Sequence, residues 1–354
     1  MAKKLDMLTL LRNIVGRPSI HIVTDGAAWS LDEDAHVLAT ILGELGYSVS
    51  VSCEAPEKGL VFFTSRYAAL EKLKKVHRKK LTVAFPYYHG YPDGSEPSFD
   101  SCYEQFCELH QHIAGVQVTH EKMKACLLAS GIAPQKISTI PIGINSATFC
   151  IPSLEERKAA RAQFAIPENA LVVGSFQKDG NGWEEGNTPK TIKGPDTLLQ
   201  TLVLLKQRIP QLFVLLSGPA RGYVKQGLLA HNIPFSHEFA QKHSDLASYY
   251  HAIDAYLVTS RQEGGPKAIL ESMASGVAII STRVGQAVDI VNHGVNGWLA
   301  DVEDAEALAA YTEQALLMPD AEKTKIQMAA RKCAEKHDHM QQLPLWKNFF
   351  ENFR

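Results

Sequence analysis

Two glutamates, Glu263 and Glu271, flank a stretch whose residue types suit a phosphorylated and hydroxylated ligand. A predicted strand ends just before this stretch, and Gly264 and Gly265 then allow a ligand to approach the backbone closely. Pro266 opens a helical pattern, and the N–H groups at a helix start attract anions. Carboxylates accept hydrogen bonds from sugar hydroxyls. The spacing therefore predicts a site for a diphosphate with hydroxyl groups at both ends.

Apolar runs that alternate with helical patterns must supply the scaffold for this site. The alternation restarts after about residue 150, and it predicts two parallel, doubly wound sheets of the α/β class. Two domains are also expected of a chain of 354 residues. Residues 1–150 and 151–335 are the predicted domains, with a proline- and glycine-bearing connection before Ile151 and a terminal segment, 336–354, after them. A cleft between two such domains is a common ligand site.

The stretch from Ser260 to Glu271 resembles the E-x7-E motif of the retaining GT-B glycosyltransferases, usually called family 4. The resemblance covers most of residues 115–305. Its further segments begin at Ala274 and Thr282, at Gly294, at Lys193 (Lys-Gly-Pro-Asp) and at Ile140 (Ile-Pro-Ile-Gly-Ile-Asn). It implies two Rossmann-like domains of the GT-B fold, with the acceptor on the first and a nucleotide sugar on the second.

The resemblance also implies roles for individual residues of the second domain. Glu271 would bind the ribose hydroxyls of the donor nucleotide, and Glu263 would bind the transferred sugar at the catalytic centre. Lys193 would neutralise the diphosphate. The backbone of the intervening stretch would contact sugar and diphosphate through Gly264, Gly265, Pro266 and Lys267.

The strand after the domain connection departs from the family pattern. The family usually has an arginine there, directly after a glycine, whereas Gly174 is followed by Ser-Phe-Gln and then Lys178. Lys178 would supply the same positive charge to the donor from a shifted position. The glycine-rich segment 179–190 is an insert relative to the family.

The first domain offers two further site residues. His89 follows a predicted strand, in a loop where many family members place an active-site histidine, and it is assigned as catalytic. A histidine packed among tyrosines is an equally good interpretation of the same pattern. Gly26, after the first strand, resembles the glycine-bearing loop that lies near the donor phosphates.

Aromatic residues recur at helical spacing near the C-terminus. Trp346, Phe349, Phe350 and Phe353 would share one face of a helix. The resemblance implies that this helix returns to pack on the first domain, and an oligomer interface is the alternative.

No metal or cofactor is expected. Asp32-Glu33-Asp34 spells a metal motif of another glycosyltransferase fold, but acidic residues before a helix that starts near Ala35 are explained by the helix dipole. Cys102, Cys107, His110 and His112 would spread around a helix and not converge on one ion. We expect the two cysteines in the core and the two histidines exposed. The nucleotide sugar is a substrate, not a cofactor.

Charge and hydropathy limit the partners. A formal net charge of −2 gives no reason to expect nucleic acid. No apolar run approaches the ~20 residues of a membrane-spanning helix, and six scattered cysteines suit a cytoplasmic protein. A basic stretch within residues 66–80 is interpreted either as a solvated face or as a peripheral contact with anionic lipid at the inner face of the membrane, formed by Arg66, Lys72, Lys74, Lys75, Arg78, Lys79 and Lys80.

The sequence thus predicts a metal-independent, retaining glycosyltransferase. Its donor is a nucleoside-diphosphate sugar and its acceptor a hydroxyl of a glycan, glycolipid or lipid-linked precursor. An epimerase or hydrolase of nucleotide sugars on the same fold is one alternative, and a non-catalytic partner subunit is another. A nicotinamide dehydrogenase is disfavoured because no G-x-G-x-x-G follows a strand.

Overall fold

The computed structural model describes residues 19–26, 30–75, 80–182 and 184–353. Two compact units divide the chain. The first runs to Ile140 and is completed by residues from His339 onward, and the second runs from Pro141 to Asp338.

The boundary between the units lies ten residues before the one expected at 150/151. The connection belongs to the second unit because its polar groups bind there. The backbone N–H of Ile144 donates to the His337 carbonyl at 3.0 Å, and the Ser146 hydroxyl donates to Asp338 at 2.6 Å. Arg331 donates to the carbonyls of Ser146 and Phe149. Buried backbone groups that find such partners fix the segment to that unit.

A parallel sheet forms the centre of the first unit, with strand order β2-β1-β3-β4-β5-β6 among the described residues. Its strands are Ser19–Val23, Ser48–Ser52, Gly59–Phe63, Leu81–Pro86, Ile113–Val118 and Ile137–Thr139, numbered β1 to β6 in chain order. The helices between them are Ser30–Glu44, Arg66–Lys75, Pro97–Leu109 and Glu121–Leu128, numbered α1 to α4.

The expected start of helix α1 at Ala35 is wrong. The helix begins at Ser30, and Asp32 and Glu33 lie in its first turn instead of before it. Negative side chains are favourable there, next to the partial positive charge of the helix start. The Thr24 hydroxyl, at the end of β1, also donates a hydrogen bond to Asp32.

The second unit has a second parallel sheet, with strand order β12-β11-β10-β7-β8-β9. Its strands are Leu171–Ser175, Leu212–Leu216, Phe235–His237, Ala255–Val258, Ala278–Thr282 and Trp298–Ala300, numbered β7 to β12. Its helices are Leu154–Gln163, Pro195–Arg208, Gly222–Ala230, Leu246–Ala252, Lys267–Ala274, Ala287–Ile290, Ala305–Leu317 and Asp320–Glu335, numbered α5 to α12. Both sheets confirm the α/β, doubly wound prediction.

Three neighbouring strands at the centre of the second sheet position the candidate site. Ala255 of β10 pairs with Ala278 of β11 on one side and with Val173 of β7 on the other. All residues of β10 and β11 are buried, as expected for strands covered by helices on both faces. Because the strands are parallel, the loops that leave their carboxyl ends meet at one edge of the sheet.

Helix α13, Leu343–Glu351, packs on the first sheet, as the resemblance implied. Phe62 of β3 contacts three rings of this helix, with ring centroids 5.9 Å from Trp346, 6.2 Å from Phe349 and 6.1 Å from Phe350. All three rings are buried. The C-terminal helix is therefore part of the core of the first unit.

Replacing Phe350 with alanine should lower the free energy of unfolding by roughly 3–5 kcal/mol, because a fully buried aromatic ring leaves a cavity when it is removed. The matched control is Leu345→Ala on the same helix, since Leu345 is 41% exposed. Chemical denaturation followed by circular dichroism measures both. Equal midpoints for the two variants would contradict the packing described.

Candidate active site

Glu263 lies on the loop that leaves β10 and is 6% exposed. Its Oε1 accepts a hydrogen bond from Lys193 Nζ at 2.6 Å and another from the Ser260 hydroxyl at 2.8 Å. The structure therefore brings together two residues that the sequence assigned to the site from distant positions. It also supplies the anionic partner that a lysine needs near a helix start, where the dipole is unfavourable for a cation.

The lysine reaches Glu263 because the backbones of its own loop and the β10 loop touch. Gly194, which follows Lys193, has a φ of +61°, and a Cβ on it would lie 2.0 Å from the Thr259 carbonyl oxygen. The Thr259 hydroxyl donates to the Gly194 carbonyl at 2.9 Å. Only glycine satisfies both the positive φ and the close approach.

A second ion pair links the same two loops. Arg261 donates to both carboxylate oxygens of Asp196, at 2.9 and 2.7 Å, and to Glu303 at 2.6 Å. The hydrogen bonds from the Arg261 guanidinium hold the pKa of the Asp196 carboxyl below its usual value. A bidentate arginine–carboxylate pair fixes orientation as well as distance. The first and last residues of the Lys-Gly-Pro-Asp element thus each form an ion pair with the β10 loop.

The glycine pair, Gly264 and Gly265, packs against the loop that leaves β11. Gly285 has a φ of +50°, and a Cβ on it would lie 2.3 Å from the Gly264 carbonyl oxygen. Gln286 is fully buried. Its backbone N–H donates to Gly264 at 2.8 Å, and its side-chain Oε1 accepts from Ile142 at 2.9 Å. A Cβ on Gly265 would meet that same side chain at 2.6 Å. Gly285 and Gln286 of the β11 loop therefore fix the position of the glycine-pair backbone.

Helix α9 begins at Lys267, one residue after the expected start at Pro266. Pro266 has a ψ of 114°, so it is the extended residue that precedes the helix. Proline lacks an N–H, so the N–H groups of the first turn begin with Lys267. Helix α9 has eight residues.

Glu271 lies on the buried face of α9 and is 3% exposed. Its Oε1 is 2.7 Å from His243 Nε2, and its Oε2 accepts from the Tyr250 hydroxyl at 2.8 Å. Burial, with the Glu271 carboxylate beside it, raises the pKa of Tyr250 well above its usual value, so the phenol stays a hydrogen-bond donor. Sequence reasoning missed His243 and Tyr250, because neither belongs to a motif with characteristic spacing.

Lys178 lies three residues beyond the end of β7, in the loop that also carries Gln177. The Gln177 side-chain amide donates to the Lys193 carbonyl at 3.3 Å, which ties this loop to the Lys193 segment. The start of the insert is anchored by a buried ion pair between Asp179 and Arg221 at 3.0 Å. Arg221 also donates to the Gln177 carbonyl at 2.7 Å. The contribution of Lys178 to donor binding stays a prediction.

His89 and Gly26 lie in the first unit. The His89 backbone carbonyl accepts a hydrogen bond from Arg66, and its ring lies 5.4 Å from that of Phe99. Gly26 has a φ of +67°, and a Cβ there would meet the Cys53 sulfur at 2.7 Å. This explains why glycine occupies that position. The catalytic role of His89 and the donor contact of Gly26 stay predictions.

The basic stretch is not one exposed face. Arg66 is 5% exposed, and its guanidinium lies 4.4 Å from the centre of the Tyr87 ring. Lys75 pairs with Glu71 on the same helix at 2.5 Å. Arg78 and Lys79 lie outside the described residues. Among the described helices, none has the length and hydropathy needed to cross a bilayer.

The candidate metal ligands are not gathered in one place. Within the described ranges, no three or more His, Cys, Asp or Glu side chains are placed to hold one ion. Helix α3 ends at Leu109, so His110 and His112 lie in the short 3-10 turn that follows it and are half-buried instead of exposed. Cys102 is buried, as expected, whereas Cys107 is only half-buried.

Gly194→Ala should unfold or severely destabilise the second unit, because the added Cβ overlaps the Thr259 carbonyl and the positive φ adds strain of about 1–2 kcal/mol. Gly43→Ala is the matched control, since Gly43 lies within α1 and a Cβ there meets nothing within 4 Å. That control should be neutral or stabilising. Thermal unfolding of both variants is the measurement, and a wild-type midpoint for Gly194→Ala would contradict the close approach of the two backbones.

Part of the second unit matches a known protein family. Residues 187–333 match the family described as glycosyl transferases group 1. A curated relative, D-inositol 3-phosphate glycosyltransferase from Thermobispora bispora, is 27% identical over 203 residues, which are 53% of this chain and 44% of the relative. The chain thus spans a little under half of the length of this relative.

Solved structures match over nearly the whole chain. Anabaena HepE in complex with UDP-glucose gives a TM-score of 0.73 at 17% identity, and the match covers 93% of this chain and 98% of that one. Sucrose-phosphate synthase from Thermosynechococcus elongatus gives 0.76 at 18% identity, with 95% and 100% covered. Identities this low establish the fold alone. The chain therefore has the GT-B fold, and its residues 187–333 match the group 1 glycosyl transferase family.

Proposed function

We propose that this protein is a retaining glycosyltransferase that moves a sugar from a nucleoside diphosphate to a hydroxyl acceptor. The observation that carries the proposal is the 2.6 Å contact between Lys193 Nζ and Glu263 Oε1, beside the glycine pair and the start of helix α9. A cation, a carboxylate and the N–H groups of a helix start meet at the carboxyl edge of one parallel sheet. This is the set of groups that a sugar attached to a diphosphate needs.

The reaction breaks the bond between the anomeric carbon and the diphosphate, so negative charge grows on the leaving group. Lys193 has three N–H donors, and one of them engages Glu263, so the others remain to stabilise that charge. The first turn of α9 adds its partial positive charge. No step needs a covalent nucleophile. In a front-face displacement the departing diphosphate helps to deprotonate the acceptor, and the sugar keeps its anomeric configuration.

Glu263 would bind the hydroxyls of the transferred sugar, since Lys193 and Ser260 fix its carboxylate. Glu271 would bind the ribose. The acceptor, a glycan, glycolipid or lipid-linked hydroxyl, is assigned to the first unit with His89 beside it. Contact of Lys72 and Lys74 with anionic lipid is a further part of this proposal.

The first experiment is a thermal-shift screen with UDP, GDP, ADP and their sugars. A ligand that binds only the folded state stabilises it by about 2.7 kcal/mol at a hundred times its dissociation constant. Product analysis by NMR, with and without acceptor, then gives the reaction and the anomeric configuration. Transfer with inversion would refute the retaining mechanism. Release of free sugar, or of an epimer, in the absence of acceptor would favour the hydrolase or epimerase instead.

Glu271→Ala should weaken the binding of the nucleoside diphosphate by about 1.5–3 kcal/mol, the usual value of a hydrogen bond to a charged group. Isothermal titration calorimetry measures the loss. The control is Glu322→Ala, which removes one exposed carboxylate from the same unit. An unchanged dissociation constant in folded Glu271→Ala would overturn the assignment of Glu271.

Transfer should persist in excess EDTA, because Lys193 and the start of α9 supply positive charge at the diphosphate without a metal. The measurement is the initial rate with EDTA, and then with added magnesium. If EDTA abolishes transfer and magnesium restores it, metal independence is wrong, and Asp32 and Asp34 become the first candidates for ligands.

A further inference from the structure

The carboxylate of Glu271 is covered by two donors from the segment that precedes β10. His243 Nε2 lies 2.7 Å from one oxygen, and the Tyr250 hydroxyl lies 2.8 Å from the other. The side chain of Glu271 is only 4% exposed. A ligand hydroxyl that is to bind Glu271 must therefore displace one of the two donors or share a carboxylate oxygen with it.

The two donors differ in how firmly they are held. Tyr250 is 1% exposed and lies in helix α8. Its ring packs against three aromatic neighbours, with centroids 5.1 Å from Phe176, 5.5 Å from Tyr256 and 5.8 Å from Phe149. In a close-packed interior such a ring does not leave its place without opening a cavity.

His243 is less deeply buried than Tyr250. It begins a single 3-10 turn, His243–Asp245, and its side chain is 32% exposed. Its ring packs against that of Phe149, with centroids 5.5 Å apart. A one-third exposed side chain on a short turn changes rotamer at little cost.

We propose that His243 is a gate over Glu271, and this inference rests on the proposed function. When the nucleoside diphosphate binds, the imidazole swings away and a ribose hydroxyl replaces it as the donor to Oε1. Tyr250 stays bonded to Oε2 and keeps the carboxylate oriented. One N–H···O bond is lost and one O–H···O bond is gained, so the carboxylate has a partner in both states, as a buried anion requires.

The exchange has a measurable consequence. The hydrogen bond between His243 and Glu271 must be broken before the ribose binds, so it lowers the observed affinity for the nucleotide. Removing the donor while keeping the ring should therefore tighten binding. Removing the Tyr250 hydroxyl should weaken it, because the carboxylate then loses the donor that remains in the bound state.

The test compares wild type with His243→Phe, His243→Gln and Tyr250→Phe in the full chain. Phenylalanine keeps the ring contact with Phe149 but has no donor, whereas glutamine keeps an N–H donor. The ligands are UDP and GDP, together with the 2′,3′-dideoxy analogue of whichever binds wild type more tightly. Calorimetry gives each dissociation constant, and circular dichroism confirms that each variant is folded.

His243→Phe should bind the ribonucleotide about tenfold more tightly than wild type, the effect of one competing hydrogen bond. His243→Gln should stay near the wild-type affinity. The dideoxy analogue should bind wild type and His243→Phe within about twofold, because without ribose hydroxyls nothing competes with His243 for Glu271. A purely structural role of His243 would change both ligands alike.

Equal ribonucleotide affinity of His243→Phe and wild type would overturn the gate. A tenfold gain that also appears with the dideoxy analogue would overturn it too, because the competition would not then involve the ribose. These results leave the proposed function intact. If neither UDP nor GDP binds any of the proteins, the proposed function fails and the gate fails with it.

Discussion

The candidate site depends on the contact between the backbones of Gly194 and Thr259. This contact leaves no room for a Cβ, so it sets the distance between two loops that leave neighbouring strands. Lys193 and Asp196 lie on one loop, and Glu263 and Arg261 lie on the other. Because the backbones touch, each charged side chain meets its partner without a long reach. Charge pairs of this kind contribute little stability when they are exposed, but they fix geometry well when they are partly buried.

The two glutamates of the E-x7-E motif are satisfied in different ways. Glu263 is paired with a lysine, which compensates its charge. Glu271 instead receives hydrogen bonds from a phenol and an imidazole. A buried carboxylate of this kind is a strong acceptor for a hydroxyl group that replaces one of the two donors. The division suits a ligand with its charge at one end and hydroxyls at the other.

The motifs, and the alternation of apolar runs with helical patterns, were enough to predict the fold class and the C-terminal helix. They also predicted that the site lies at the carboxyl ends of the strands. They sufficed because glycines, charged residues and aromatic spacings leave local signals in the sequence. Lys193 and Glu263 were each assigned to the donor site, but their direct pairing was not predicted. His243 and Tyr250 gave no such signal, since their roles arise from tertiary packing. The boundary at residue 140 also depends on long-range bonds, such as that between Ser146 and Asp338.

The first unit is made of two separate pieces of chain, and this has a consequence for synthesis on the ribosome. The second unit is continuous from Pro141 to Asp338, whereas helix α13 of the first unit is translated after all of it. Until then Phe62 and Tyr47 lack the aromatic partners that cover them in the finished protein. The first unit therefore begins to form before the second but completes its core last. During that interval the apolar surface that helix α13 later covers is exposed, and such surface makes a newly made chain prone to aggregate.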